Sequence, residues 1–98
     1  MKATHKIDEI DFEWDSEKAE KNIKKHDVTF YEASETFLDP FAQPTEGREI
    51  DEEAREGIIG LTKKWKLLYV AYAWRDLIIR IVSAREATKT QRKEYESQ

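Results

Sequence analysis

A chain of 98 residues has room for one hydrophobic core and no second domain. Hydrophobic and charged residues each make up 39% of it, and there is no cysteine, which excludes disulfides, thiolate nucleophiles and cysteine-bound zinc. The net charge of -4 argues against a nucleic-acid binder until it is divided: residues 1–56 carry 17 acidic and 8 basic side chains, residues 57–98 carry 4 and 9.

Residues 1–11 contain Lys2, Lys6, Asp8 and Glu9 and no apolar run, so they read as a disordered tail that is not a signal peptide, with His5 inert inside it. A single domain is expected over 12–98, in the cytoplasm, because no apolar stretch reaches the length of a membrane span. Phe12 and Trp14 alternate with charged neighbours and predict a short strand. Asp15 or Ser16 caps a helix that carries Ala19, Ile23 and His26 on one face. Thr29 and Glu32 have capping-box spacing, so a second helix starts at Phe30, buries Phe30, Ala33 and Phe37, and ends at Asp39-Pro40. The stretch 41–47, with Pro44, reads as an irregular connection or edge strand.

Three apolar runs follow, Ala54 to Thr62, Lys66 to Trp74 and Leu77 to Ala84, separated by gaps short enough for hairpins. They predict an antiparallel β-meander. Both parities of the last two runs are apolar, so both sheet faces need cover. Ser83 and Glu86 repeat the capping-box spacing and predict a terminal helix with Ala87, Gln91 and Tyr95 along one side. The class is α+β: N-terminal strand and two helices, antiparallel β-meander, C-terminal helix.

The basic half supplies residues suited to phosphate chemistry. Arg55, Arg75, Arg80 and Arg85 lie on or beside predicted strands, where planar guanidinium forks can be aimed at phosphate oxygens. Arg80 interrupts a strand with no other ionisable residue, so it binds an anion or pairs with an internal carboxylate, and the two readings stand equal. Arg75 at a turn reads as a solvated hairpin charge; Arg85 at a predicted helix start sits where a cation is disfavoured, which leans toward function. Lys25-His26 closes the first helix, whose dipole would hold the imidazole pKa up; His26 is a candidate acid or base, with a packing role as the simpler reading. Trp65, flanked by Lys63, Lys64 and Lys66, has the character of a surface on which RNA bases stack. Tyr95 packs on the sheet or offers its hydroxyl to substrate. The acidic run from Glu49 to Glu56 matches no cation-binding loop and reads as a solvated face or a landing surface for a basic partner. No metal site or cofactor is expected.

Phe12-Glu13-Trp14-Asp15, Lys18-Ala19, Asn22 and Lys25-His26, then Phe30, Glu32-Ala33, Phe37 and Asp39-Pro40, resemble the opening signature of the BrnT toxin family. Arg55, Gly60, Leu68, Val70, Tyr72 and Arg75, the block from Ile79 to Arg85, Ala87-Thr88 and Tyr95-Glu96 continue the likeness, which spans residues 12–96. The resemblance implies a RelE-like α+β fold and a ribonuclease that arrests translation; for that chemistry the residues themselves offer Arg55, Arg75, Arg80, Arg85 and His26 as catalytic candidates and Lys25, Lys63, Lys64, Trp65, Lys66 and Tyr95 as substrate-binding ones. It also implies a BrnA-type ribbon-helix-helix antitoxin in a two-plus-two complex, through which alone the protein meets DNA. Asp27, Ala54 and Gln91 depart from the family pattern, the last two replacing glutamates that could serve as general base. A catalytically weak module acting mainly as the antitoxin's partner in autoregulation is the alternative.

Overall fold

Residues 1–46, 53 and 56–98 are described by the computed structural model. Along them run β1 (Lys2–Ile7), β2 (Ile10–Asp15), α1 (Ser16–His26), α2 (Phe30–Glu35) with a 3-10 turn (Thr36–Leu38), β3 (Gln43–Glu46), β4 (Glu56–Leu61), β5 (Leu67–Arg75), β6 (Ile78–Glu86) and α3 (Lys89–Glu96). The strands form one sheet in the order β1-β2-β6-β5-β4-β3, antiparallel throughout except for β2 beside β6. The α+β class and the β4-β5-β6 meander are those expected.

Two expectations are corrected. The supposed tail forms β1, paired along its length with β2 from Lys2↔Asp15 to Ile7↔Ile10. Its inward positions are Ala3, His5 and Ile7, an alternation too weakly apolar to stand out, and His5 stacks edge-on against Tyr31 at 4.9 Å. The terminal helix is capped by Thr88 and Gln91, whose side chains form a capping box, and not by Ser83 and Glu86. Pairing of β6 with β5 continues to Leu68↔Glu86, so ladder hydrogen bonds override the earlier capping signal. Arg85 is therefore a strand residue.

Each sheet face has its own apolar layer. On one, Phe12, Trp14, Leu68, Val70, Ile79 and Ile81 pack against Val28, Phe30 and Ala33. On the other, Ile59, Leu67, Tyr69, Ala71 and Val82 meet Ala87 and Tyr95 from the α3 side. Each large side chain so buried stabilises the fold by about 1.5–3 kcal/mol before entropy is counted. The Asp15 and Thr29 caps form as expected, although α2 itself ends at Glu35 and the 3-10 turn follows. Gly60 is needed where β4 meets this turn, since a Cβ there would lie 2.9 Å from the Thr36 carbonyl oxygen.

Candidate active site

A bulge in β6 sets which residues reach the α3 side of the sheet. Tyr72 pairs with Ile81 and Ala71 with Ser83, so Val82 and Ser83 together oppose Ala71. Arg80, two residues before Val82, and Arg85, opposite Tyr69, consequently share the face away from α1 and α2.

Arg80 is held by two carboxylates. Its Nη1 donates to Glu13 Oε2 at 3.1 Å, and its Nε donates to Glu53. The register Glu13↔Arg80 across the parallel β2-β6 pair explains the first contact. Arg75 reaches Glu53 at 3.1 Å, Lys18 closes on the same carboxylate, and Lys2 lies 3.6 Å from Glu13. The Glu13 and Arg80 side chains are only 6% and 14% exposed, whereas Arg75 is 56% exposed and can reach outward. Burial pushes the Glu53 carboxyl up, but Lys18 and Arg80 outweigh it and hold the group below its ordinary range. Burial pulls Arg80 down, and Glu53 and Glu13 more than restore it. Of the two readings of Arg80, the internal ion pair is the one observed.

Arg85 is held differently. Its guanidinium carbon lies 4.7 Å from the centre of the Tyr69 ring, and Nη1 donates to Gln91 Oε1 at 3.0 Å and to the Glu86 carbonyl at 3.1 Å. Among the described residues no carboxylate pairs with it. His26, at the end of α1, is close enough to feel that charge. Burial, then Lys25 and Arg85, hold the imidazole pKa below its ordinary value, against the upward shift that the helix dipole alone would give.

The remaining candidates sit elsewhere. Lys63, Lys64 and Trp65 are exposed on the turn between β4 and β5, while Lys66 pairs with Glu32 of α2 at 3.2 Å. The Tyr95 hydroxyl donates to Asp39 Oδ2 at 2.7 Å, and burial together with this carboxylate pushes its pKa up to about 12. Burial pushes Asp39 up, but N–H groups of Leu61 and Phe41 and the Tyr95 hydroxyl hold it low. Lys25 is exposed on the last turn of α1. Arg55, Ala54 and the acidic run apart from Glu53 and Glu56 lie outside the described residues. Sequence reasoning gave no site role to Glu13 or Lys18. The signal available for Glu13 was Arg80 itself, since an arginine inside an apolar strand requires a neighbouring anion.

Residues 14–91 match the family model described as the ribonuclease toxin, BrnT, of type II toxin-antitoxin systems. The crystal structure of the Brucella abortus ribonuclease toxin, BrnT, superposes with a TM-score of 0.62 at 24% identity, covering 78% of this chain and 94% of that one. At that identity the likeness is one of fold. No curated protein sequence matches the chain.

Proposed function

The chain belongs to the BrnT family of ribonuclease toxins of type II toxin-antitoxin systems, and from that premise we propose that it is a metal-independent endoribonuclease that arrests translation in the cytoplasm. In this reading the sheet is a RelE-like scaffold. The 2′-hydroxyl oxygen attacks the adjacent phosphorus, the P–O5′ bond breaks, and the products are a 2′,3′-cyclic phosphate and a 5′-hydroxyl end completed by a proton from water. His26, kept neutral near pH 7 by its lowered pKa, takes the 2′-proton. Arg85 stabilises the more negative phosphorane, and the exposed Arg75 draws a flanking phosphate toward the same face, while Arg80 stays in its ion pair with Glu13 and Glu53.

The observation that carries this reading is Arg85: a strand arginine oriented by a tyrosine ring and an amide, with no carboxylate paired to it among the described residues, whose charge helps to lower the pKa of His26. Gln91 supports it, because the glutamate expected there by family pattern would pair with Arg85. Among the described residues no group of three His, Asp or Glu side chains converges in a way suited to a cation.

A BrnA-type ribbon-helix-helix antitoxin is the expected partner, in a two-plus-two assembly that links the toxin to DNA. The test is incubation of purified toxin with single-stranded RNA and analysis of the fragment ends. Cyclic phosphate ends lost in Arg85→Ala support the reading. Intact RNA, or fragments with 5′-phosphate ends, would sink it.

A further inference from the structure

Beside the β4-β5 turn lies a cleft of about 350 Å³, lined among others by Glu35, Asp39, Phe41, Lys63, Trp65 and Tyr95. That volume falls within the roughly 300–1,000 Å³ typical of small-molecule sites. The turn itself is held firmly. The Trp65 N–H donates to the Thr62 carbonyl at 3.0 Å, the Lys64 and Lys66 N–H groups donate to Thr62 Oγ1, and the Lys63 N–H donates to Glu35 Oε1 at 3.0 Å.

These bonds keep Trp65 at φ 66°, in the left-handed region, with 81% of its surface exposed. The other described residues at positive φ are Asp8, Asp27 and Asp76, and aspartate tolerates that conformation because its short side chain can bond locally. A bulky indole gains nothing comparable, and this one is not repaid by burial. Strain without burial points to a ligand. Phe41, 62% exposed, supplies a second aromatic surface in the same cleft.

The charges beside it narrow the ligand. Lys63 and Lys64 are exposed and, among the described residues, pair with no carboxylate, unlike Lys66 with Glu32. An apolar side chain of a protein partner would fill the cleft and leave both ammonium groups unanswered. An unpaired base of RNA answers both features, its ring on the indole and its phosphates on the lysines. The wall carries two carboxylates, which accept and do not donate. Asp39 already accepts from Leu61, Phe41 and Tyr95, whereas Glu35 accepts the Lys63 N–H through Oε1, so its Oε2 can receive an N–H from a base edge.

We propose that this cleft is a nucleobase subsite: it takes one unpaired, amino-bearing base of the RNA substrate, stacked on Trp65, with Lys63 and Lys64 on its phosphates and Glu35 accepting from its amino edge. The proposal rests on the ribonuclease reading for the identity of the polymer, and binding without cleavage tests it separately. The probes are 2′-O-methyl hexamers of adenine, cytosine or uracil, which lack the nucleophile and cannot be cut. Adenine and cytosine hexamers are expected to bind more tightly than uracil and to shift the Trp65 indole N–H resonance. Trp65→Ala, melting like wild type, should weaken binding about tenfold and Trp65→Phe much less; Glu35→Gln should remove the preference. An unmoved Trp65 resonance at saturation, or wild-type affinity in Trp65→Ala, overturns the subsite. So does a Trp65→Ala variant that binds RNA normally but no longer co-purifies with the antitoxin, which would make the cleft a protein-docking face. Equal affinity for all three hexamers overturns Glu35 as the reader. Failure of the wild type to cut unmodified RNA strikes the ribonuclease reading instead, since the hexamer titration does not depend on cleavage.

Discussion

The carboxamide of Asn22 holds both backbone groups of Ala84: its Oδ1 accepts from the Ala84 N–H at 3.1 Å, and its Nδ2 donates to the Ala84 carbonyl at 2.8 Å and to Val28 at 2.9 Å. Strand β2 pairs with β6 only as far as Glu13↔Arg80, and beyond that point the edge of β6 would lie unpaired. A side chain on α1 thus does the work of a neighbouring strand and pins the helix that carries Lys18 and His26 beside the strand that carries Arg80 and Arg85. Asn22→Ala leaves these buried groups without partners and should destabilise the fold by about 2–4 kcal/mol. Urea unfolding measures it; a change below 0.5 kcal/mol, on the order of an ordinary surface substitution, contradicts the pinning role.

Arg80 and Arg85 should respond differently to removal. Arg80→Ala leaves the buried Glu13 with only the longer contacts of Lys2 at 3.6 Å and Arg75 at 3.9 Å and should destabilise by about 3 kcal/mol, whereas Arg85→Ala loses a partly exposed stacking contact worth about 1 kcal/mol. Adding Glu13→Gln to Arg80→Ala removes a buried charge that has lost its shortest ion pair and should recover part of the melting temperature. Cleavage should fall on the order of 10²-fold in Arg85→Ala with the fold intact. Arg85→Ala cutting at the wild-type rate would remove it from the site.

The contrast between these two arginines marks where the sequence was legible. Periodicity and capping signals located α1, α2 and the meander because each depends on contacts a few residues apart. The β1 strand and the true start of α3 were hidden, since one is a weakly apolar strand stabilised by its partner and the other lost a local contest to the β5-β6 ladder. Arg80 was visible as an anomaly, but whether Glu13 or a phosphate answers it depends on strand register, which the hydrophobic pattern of β2 does not encode. The Arg85 environment was out of reach for the same reason, being made by a bulge and by Tyr69 across the sheet.

His26 gives a pH signature. Its folded pKa lies below the unfolded value, so the folded state binds fewer protons, and stability present above the unfolded pKa of about 6.5 is lost as pH falls from there through the lower folded value. The lowered carboxyls of Glu32, Asp39 and Glu53 add a further loss at lower pH, as pH falls toward their folded values. For catalysis, the acid limb of kcat/KM should lie below the pH of an ordinary imidazole. Lys25→Ala removes a neighbouring cation and should move that limb upward, and His26→Gln should abolish it. A limb unchanged in both variants excludes His26 as the base.

Cleavage should survive excess EDTA, because the proposed chemistry draws its positive charge from Arg75 and Arg85 and its base from His26. The measurement is fragment formation with and without chelator. Activity lost on chelation and restored by magnesium would assign the phosphate charge to a bound cation and overturn the arginine mechanism.

Gln91→Glu separates two uses of the position where the family pattern has glutamate. Gln91 Oε1 now accepts from both Arg85 and the Thr88 N–H, so an isosteric carboxylate keeps the geometry and adds one negative charge at the start of α3. That charge suits the helix dipole and pairs with Arg85, and should raise stability by about 0.5–1 kcal/mol. The same pairing neutralises the cation assigned to the phosphate. If Arg85 acts by its charge, Gln91→Glu melts higher and cleaves more slowly, with RNA binding less steeply dependent on salt. Were the missing glutamate instead the general base, the same variant would cleave faster, and the pH-rate profile would acquire an acid limb in the carboxylate range that Arg85→Ala shifts upward. Paired melting and initial-rate measurements on this one substitution therefore decide between charge and base.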